Sequence, residues 1–254
     1  MKDIQMILNK WFRKEKEDST QTPSNRIIPS LDKELEMAKK VQQGLLAANT
    51  IKKPNINVAK RCIAANHLGG DFYCIVEKSD PIIQSASQQT GVIKFEHETK
   101  KSINFFIGDV AGHGLSSALV MSLCSGIFPK IANDCTSPGE CLSQLNNRIM
   151  PYLNQSSVKY LTGFCAQFDL DTKTLSYAKG GHPPALIMHK NGKISELKTD
   201  GIFLGMYEDE HFEEKSIQLS PQDKLVLFTD GIPETRNNNG TFFGQESFLK
   251  LLKF

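Results

Sequence analysis

Near the middle of the chain, apolar and polar positions fall into a strand, a turn and a helix. Ile103, Phe105, Phe106 and Ile107 form a run of β-branched and aromatic residues, the pattern of a mostly buried strand. Asp109 stands where that strand is expected to stop, and Gly112 and Gly114 follow in a turn. Leu115, Ala118, Leu119 and Ser122 then recur at helical spacing, with Ser116 and Ser117 as the expected caps. The predicted product is a carboxylate on a rigid strand end, beside backbone that a ligand can approach closely.

The same reading extends to both sides. Ile4, Ile7, Leu8 and Trp11 share one face of a predicted helix over 4–16, read as a terminal helix that packs on its own domain. Residues 17–30 are polar with two prolines and read as a linker. A stronger helix is predicted over 31–46, with Ser30 as cap and a stripe of Leu31, Leu35, Ala38, Val41, Gln42, Leu45 and Leu46. Such a stripe packs on its own domain or on a second copy as a short coiled coil, a possible homodimer through 31–46. A strand is expected from Ile56, then a Gly69-Gly70 bend before Asp71, and a second strand through Phe72, Tyr73, Ile75 and Val76. Residues 77–102 read as an extended hairpin excursion, with a short strand at 91–95. Cys141, Leu142, Leu145, Ile149 and Leu153 predict the next helix, and hairpins follow with turns at 169–174 and 191–192. Leu225 to Phe228 form a buried strand ending at Thr229, Asp230 and Gly231, and Phe248, Leu249 and Leu252 mark a final helix.

Composition narrows the classes. With 254 residues, 39% of them hydrophobic, the chain has enough for one large domain or two small ones. A net charge of +2 is too small to argue for nucleic acid or an acidic membrane surface. No apolar run approaches the ~20 residues of a transmembrane helix. The first residues do not read as a signal peptide, so the expected location is the cytoplasm. Six scattered cysteines without a CxxC pair argue against a zinc ribbon and read as free thiols.

Against that background three acidic turns stand out. Asp71, Asp109 and Asp230 each lie at the end of an apolar strand, and each has glycine beside it. Hard divalent cations take oxygen ligands of this kind, and two metals ~3.5–4 Å apart form the usual centre for phosphoester hydrolysis. The competing reading is three ordinary turns, since Asp is common in them. A Walker A lysine loop and a GxSxG elbow are both absent from the sequence. His182, in a GGHPP loop, reads as a hydrogen-bonded turn residue rather than a ligand or acid.

GGDFY at 69–73, GDVAGHG at 108–114, GGHPPALI at 180–187 and LFTDGIPETRN at 227–237 occur in that order. Together they resemble the metal-dependent PPM-type protein phosphatases, in the bacterial branch of stage II sporulation protein E and the sigma-factor regulators. ELEMAKKVQQGLL at 34–46 resembles the segment preceding the phosphatase domain there. The resemblance implies an α+β fold: a four-layer α-β-β-α sandwich of two antiparallel sheets flanked by helices. The match runs from about Leu31 to the end: it implies 31–50 as a regulatory helix and 51–254 as the phosphatase domain, preceded by the N-terminal helix and linker read over 1–30.

It also implies hydrolysis of phosphoserine or phosphothreonine on a protein by water activated between two Mn²⁺ or Mg²⁺ ions. The substrate class of the branch is a phosphorylated anti-sigma-factor antagonist. Carried over by motif, Asp109 bridges the two ions, Asp71 and the Val110 carbonyl hold one, and Asp230 holds the other. Cys74 stands where the branch often has an acid. Nothing in this sequence matches the final aspartate-bearing strand of the branch. The expectation is therefore a C-terminally incomplete domain, lacking its last strand and holding its second ion weakly. The alternative is a phosphatase-like binding module without turnover; a metal-dependent nuclease is disfavoured by the near-neutral charge.

Overall fold

The computed structural model describes residues 29–47, 51, 53, 55–81 and 99–253. Helix α1 spans Pro29–Ala47, α2 Leu115–Asp134, α3 Pro138–Asn154 and α4 Gln245–Leu252. The strands are β1 (Phe72–Pro81), β2 (Thr99–Val110), β3 (Leu161–Asp169), β4 (Thr174–Gly180), β5 (Ala185–Met188), β6 (Ile194–Leu197), β7 (Glu214–Gln218) and β8 (Lys224–Val226). They pair antiparallel into two sheets, ordered β1-β2-β3-β4-β7 and β6-β5-β8. The predicted helix over 4–16 and the predicted strand at 91–95 lie outside the described residues.

Strand alternation explains the layers. Phe72, Cys74, Phe106, Val110, Leu161 and Cys165 point from the larger sheet towards α2 and α3, where Met121, Cys124, Phe128, Leu142, Leu145 and Ile149 meet them. The intervening residues, Phe105, Ile107, Phe164, Ala166 and Leu175, face the smaller sheet and pack on Ala185, Ile187 and Leu197. On the far side of that sheet, Leu186, Val226 and Phe228 pack on Phe248, Leu249 and Leu252 of α4. The order is helix, sheet, sheet, helix: the α+β sandwich expected from the sequence.

Several local expectations change. The strand expected from Ile56 does not form: residues 59–64 alternate in burial, but no described strand lies beside them to pair with. Strand β7, almost wholly exposed, was not expected from its polar sequence; it borders β4 at the sheet edge. Helix α2 is capped at Gly114 without a side-chain bond, and Ser117 Oγ instead donates back to the Gly114 carbonyl at 3.0 Å. Leu115 and Leu119 are exposed, and the buried stripe runs through Ala118, Met121, Cys124 and Phe128. By length and composition alone α2 could cross a membrane, contrary to the reading of apolar runs, yet half of it is buried within the domain.

Helix α1 turns most of its predicted stripe inward, with Leu35, Ala38, Gln42, Leu45 and Leu46 buried or half-buried, but not all of it. Val41 is 67% exposed and Leu31 is exposed, whereas Gln42 and Leu46 face the domain. Gln42 Nε2 donates to the Gly69 carbonyl at 2.9 Å, and the Gly69 N–H donates to Gln42 Oε1 at 3.2 Å. A polar residue is buried here because its amide completes both backbone groups of one glycine. Gln42→Ala is expected to leave those groups unpaired and loosen both segments. Amide exchange in α1 and at residues 68–72 should speed up by an order of magnitude or so, for roughly 1–3 kcal/mol of lost protection. Unchanged exchange would count against the clamp.

Candidate metal centre

Asp71 immediately precedes β1 and Asp109 is the penultimate residue of β2. The register pairs Phe72 with Gly108 and Asp109 with Thr162, so both carboxylates sit at one end of the larger sheet. Asp109 has the parity of Phe105 and Ile107 and belongs to the face towards the second sheet. Gly70 makes the approach possible: a Cβ there would stand 2.8 Å from the Val110 carbonyl oxygen and 3.2 Å from Ser117 Cβ. That oxygen, the one expected to serve as a ligand, therefore lies directly against the Gly69–Gly70 turn.

The third turn arrives from the second sheet. Thr229 Oγ1 donates to Asp71 Oδ2 at 2.9 Å, which draws residues 229–231 onto the pair. The Glu234 N–H donates to the Asp230 carbonyl at 2.8 Å and shapes the rest of the turn. Asp230 itself is exposed.

The electrostatics are those of an acidic site short of positive charge. Burial, then the charge and hydrogen bond of Asp71, then the charges of Asp230 and Glu234 push Asp109 up to about 8. Burial also raises Asp71, opposed by its hydrogen bonds with Thr229 and Asp109, while the Asp230 charge adds to the rise. The Asp71–Asp109 pair thus shares a proton at neutral pH, as closely apposed carboxylates do. Oxygen-only donors on rigid strand ends fit a hard divalent ion, whose charge can displace that proton. Among the described residues, no three His, Cys, Asp or Glu side chains are gathered as a closed cage. Asp71 and Asp109 are in contact, and Asp230 and Glu234 act on them from further away.

His182 supports this end of the fold from beneath. Thr162, the partner of Asp109, places its Oγ1 2.7 Å from His182 Nδ1, and His182 Nε2 lies 3.1 Å from the Phe228 carbonyl. The carbonyl only accepts, so Nε2 carries the hydrogen and Nδ1 accepts from the threonine. Burial lowers His182 from 6.5 to about 4, with Lys179 adding to the drop and the Phe228 bond opposing it. The imidazole is a neutral pin between the sheets. The unfolded chain takes up this proton at higher pH than the folded chain, so stability is expected to fall as pH drops from about 6.5 to about 4. The loss is about 3 kcal/mol. Unfolding free energies of the wild type and His182→Asn across that window check it: the variant, weaker throughout, should lose this part of the slope. Equal slopes would contradict the assignment.

Sequence reasoning missed the Thr229 bond to Asp71, the Thr162 bond to His182 and the contact side of Gly70, and it placed Gln42 on the buried stripe without its bonds to Gly69. Only Gly70 and Thr229 had a signal, as neighbours of Asp71 and Asp230.

The stage II sporulation protein E (SpoIIE) family model matches residues 99–254. The chain belongs to the SpoIIE family. The matched stretch contains Asp109, Val110 and Asp230 and begins after Asp71. This SpoIIE-family chain is 27% identical over 228 residues to phosphoserine phosphatase RsbU of Bacillus subtilis, covering 89% of this chain and 61% of that protein. It is 26% identical over 202 residues to phosphoserine phosphatase RsbP of the same organism, covering 79% of this chain and 45% of that protein. It therefore spans less than two thirds of the length of these curated relatives.

Among solved structures, the SiaA-PP2C domain of Pseudomonas aeruginosa matches with a TM-score of 0.61 at 18% identity, covering 88% of this chain and 82% of that one. The PP2C phosphatase domain of SpoIIE from Bacillus subtilis, solved with a fragment of its regulatory domain, matches with a TM-score of 0.52 at 17% identity. That match covers 73% of this chain and 48% of that one. These likenesses establish the fold.

Proposed function

We propose that the chain is a metal-dependent protein serine/threonine phosphatase acting on a phosphorylated regulatory protein in sigma-factor or stress signalling. The observation that carries this is the apposed Asp71–Asp109 carboxyl pair at one end of adjacent strands in a SpoIIE-family fold. Two relatives named phosphoserine phosphatases support the reaction class. Mn²⁺ or Mg²⁺, two ions when fully loaded, would supply Lewis-acid activation of water and neutralise charge on phosphate oxygens.

The chain's own part is to hold the oxygens. Asp109, on β2, would offer its carboxylate to the ions. Thr229 orients Asp71, and Gly70 leaves room beside the Val110 carbonyl. Asp230 would hold the second ion. Residues 51–254 form the catalytic domain. Residues 31–50 act as its regulatory helix, whose exposed Leu31, Met37 and Val41 suit a second copy of the chain. The six free thiols suit a cytoplasmic setting. The expected substrate is an anti-sigma-factor antagonist carrying phosphoserine.

A binding module without turnover is the second reading, favoured by the exposure of Asp230 and the absence of a closed three-acid cage among the described residues. Phosphate release from a phosphoserine protein, with metal-stripped chain and added Mn²⁺, separates the two. Release that needs the metal supports the enzyme; metal binding without release supports the module.

A further inference from the structure

The loop between β6 and β7 carries Phe203, and three features hold that residue in place. Leu161 and Leu204 exchange backbone hydrogen bonds of 3.0 and 2.9 Å, which staples the loop to the start of β3. Gly181 has φ +63°, and a Cβ there would stand 2.3 Å from Phe203 Cδ1. The second glycine of GGHPP is thus the seat of the Phe203 ring. On its other side the ring meets Tyr160, with centroids 4.7 Å apart and planes at 37°.

Despite these contacts, Tyr160 remains 37% and Phe203 36% exposed. Met206 and Tyr207 are exposed on the same loop. The position of the pair gives the exposure a meaning. Leu161 turns its side chain to the helix side, so Tyr160 before it and Thr162 after it belong to the side of Asp109. The Ala111 N–H donates to the Tyr160 carbonyl at 3.1 Å, two residues past Asp109. Tyr160 is therefore one same-face step, about 7 Å, from the partner of Asp109. An extended peptide advances by the same amount over two residues. Rigid, half-exposed aromatics offer contact area at little entropic cost.

We propose that Tyr160 and Phe203 form an aromatic clamp for an apolar side chain about two residues from the phosphoserine of a protein substrate, and so set substrate choice. This rests on the phosphatase reading. The clamp touches the flanking residue of the substrate and leaves the reacting phosphate to the carboxylate end.

The test uses synthetic phosphoserine peptides that differ only in Leu or Ala two positions from the phosphoserine, on either side, with p-nitrophenyl phosphate as a substrate without flanking residues. For the wild type with Mn²⁺, one Leu peptide is expected to show a KM on the order of tenfold below its Ala twin, with similar kcat. Phe203→Ala and Tyr160→Ala should each erase that difference through KM. A parallel loss with p-nitrophenyl phosphate, or a collapse of the melting temperature, would mean the pair only pins its loop and would overturn the clamp. Wild-type indifference to Leu and Ala at both positions would overturn it too.

Fluorescence anisotropy with the same peptides keeps the two hypotheses apart. A Leu preference in binding, lost in Phe203→Ala, supports the clamp even if no peptide is hydrolysed, in which case the phosphatase reading alone falls. Turnover without any Leu preference leaves the phosphatase reading standing and removes the clamp.

Discussion

Asp109→Asn is expected to abolish Mn²⁺-dependent phosphatase activity while leaving the metal-free fold intact. Asparagine matches the shape of a protonated aspartate, and the shared proton already keeps Asp109 largely neutral near pH 7. What the variant loses is the ability to become an anion when cations arrive. Partners that merely orient a metal ligand cost about 10–100-fold when removed, and a bridging ligand should exceed that. The metal-free protein makes a second comparison.

The raised folded pKa of Asp109 means that the native state binds its proton more tightly than the unfolded chain does. Its contribution to stability is present at low pH and is lost as pH rises towards about 8. The asparagine variant has no such term. It should melt above the metal-free wild type at pH 8, and the wild type should recover when Mn²⁺ is added while the variant does not. Wild-type turnover in the variant at saturating Mn²⁺ would remove Asp109 from the site.

Phe106→Ala should have the largest effect on the fold. Its ring lies 5.2 Å from that of Phe72 and 4.6 Å from that of Phe128, joining β1, β2 and α2. Two glycines shape its pocket: a Cβ at Gly108 would stand 2.8 Å from the Phe106 ring, and one at Gly163 would stand 3.0 Å from it. Neither glycine has a side chain to relax into the space, so truncation leaves a cavity. The expected cost is about 3–5 kcal/mol, seen as a fall in melting midpoint on the order of 10 °C. Thermal melts of the metal-free protein check it. A shift of only a degree or two would mean the core closes over the gap. The same loss should spread to activity, because Phe106 precedes Asp109 by three residues on one rigid strand.

The layers could be read from the sequence wherever burial is one-sided. Cys141, Leu142, Leu145, Ile149 and Leu153 predicted α3, and all five are buried. Strands β1 to β4 were legible for the same reason, because alternate residues serve different layers. Periodicity failed where a partner decides the outcome. Residues 59–64 alternate but have no described strand to pair with, while β7 pairs with β4 through its backbone and needs no apolar signature. On α1 the predicted stripe included Gln42, which is buried, but spacing could not show that its amide is held by the backbone of Gly69 or that Leu31 and Val41 stay exposed.

At the site, Gly70 and Gly231 mark a bend and a turn beside Asp71 and Asp230, whereas Asp109 still lies within β2. Spacing could not reveal that Asp71 and Asp109 share a proton or that Thr229 holds Asp71, because these contacts cross between strands and sheets. The seat that Gly181 makes for Phe203 was equally hidden. A GG pair in sequence says only that the backbone is free to turn, and the ring that fills the space comes from another loop.

The proton shared by Asp71 and Asp109 offers the most direct test of the metal centre. Titration calorimetry of Mn²⁺ into the metal-stripped chain at pH 7, repeated in buffers of different ionisation enthalpy, counts the protons expelled on binding. The expected result is about one proton released with the first ion, because that ion takes the place of the shared proton. Binding without proton release, or no binding at millimolar Mn²⁺, would contradict a metal centre built on this pair.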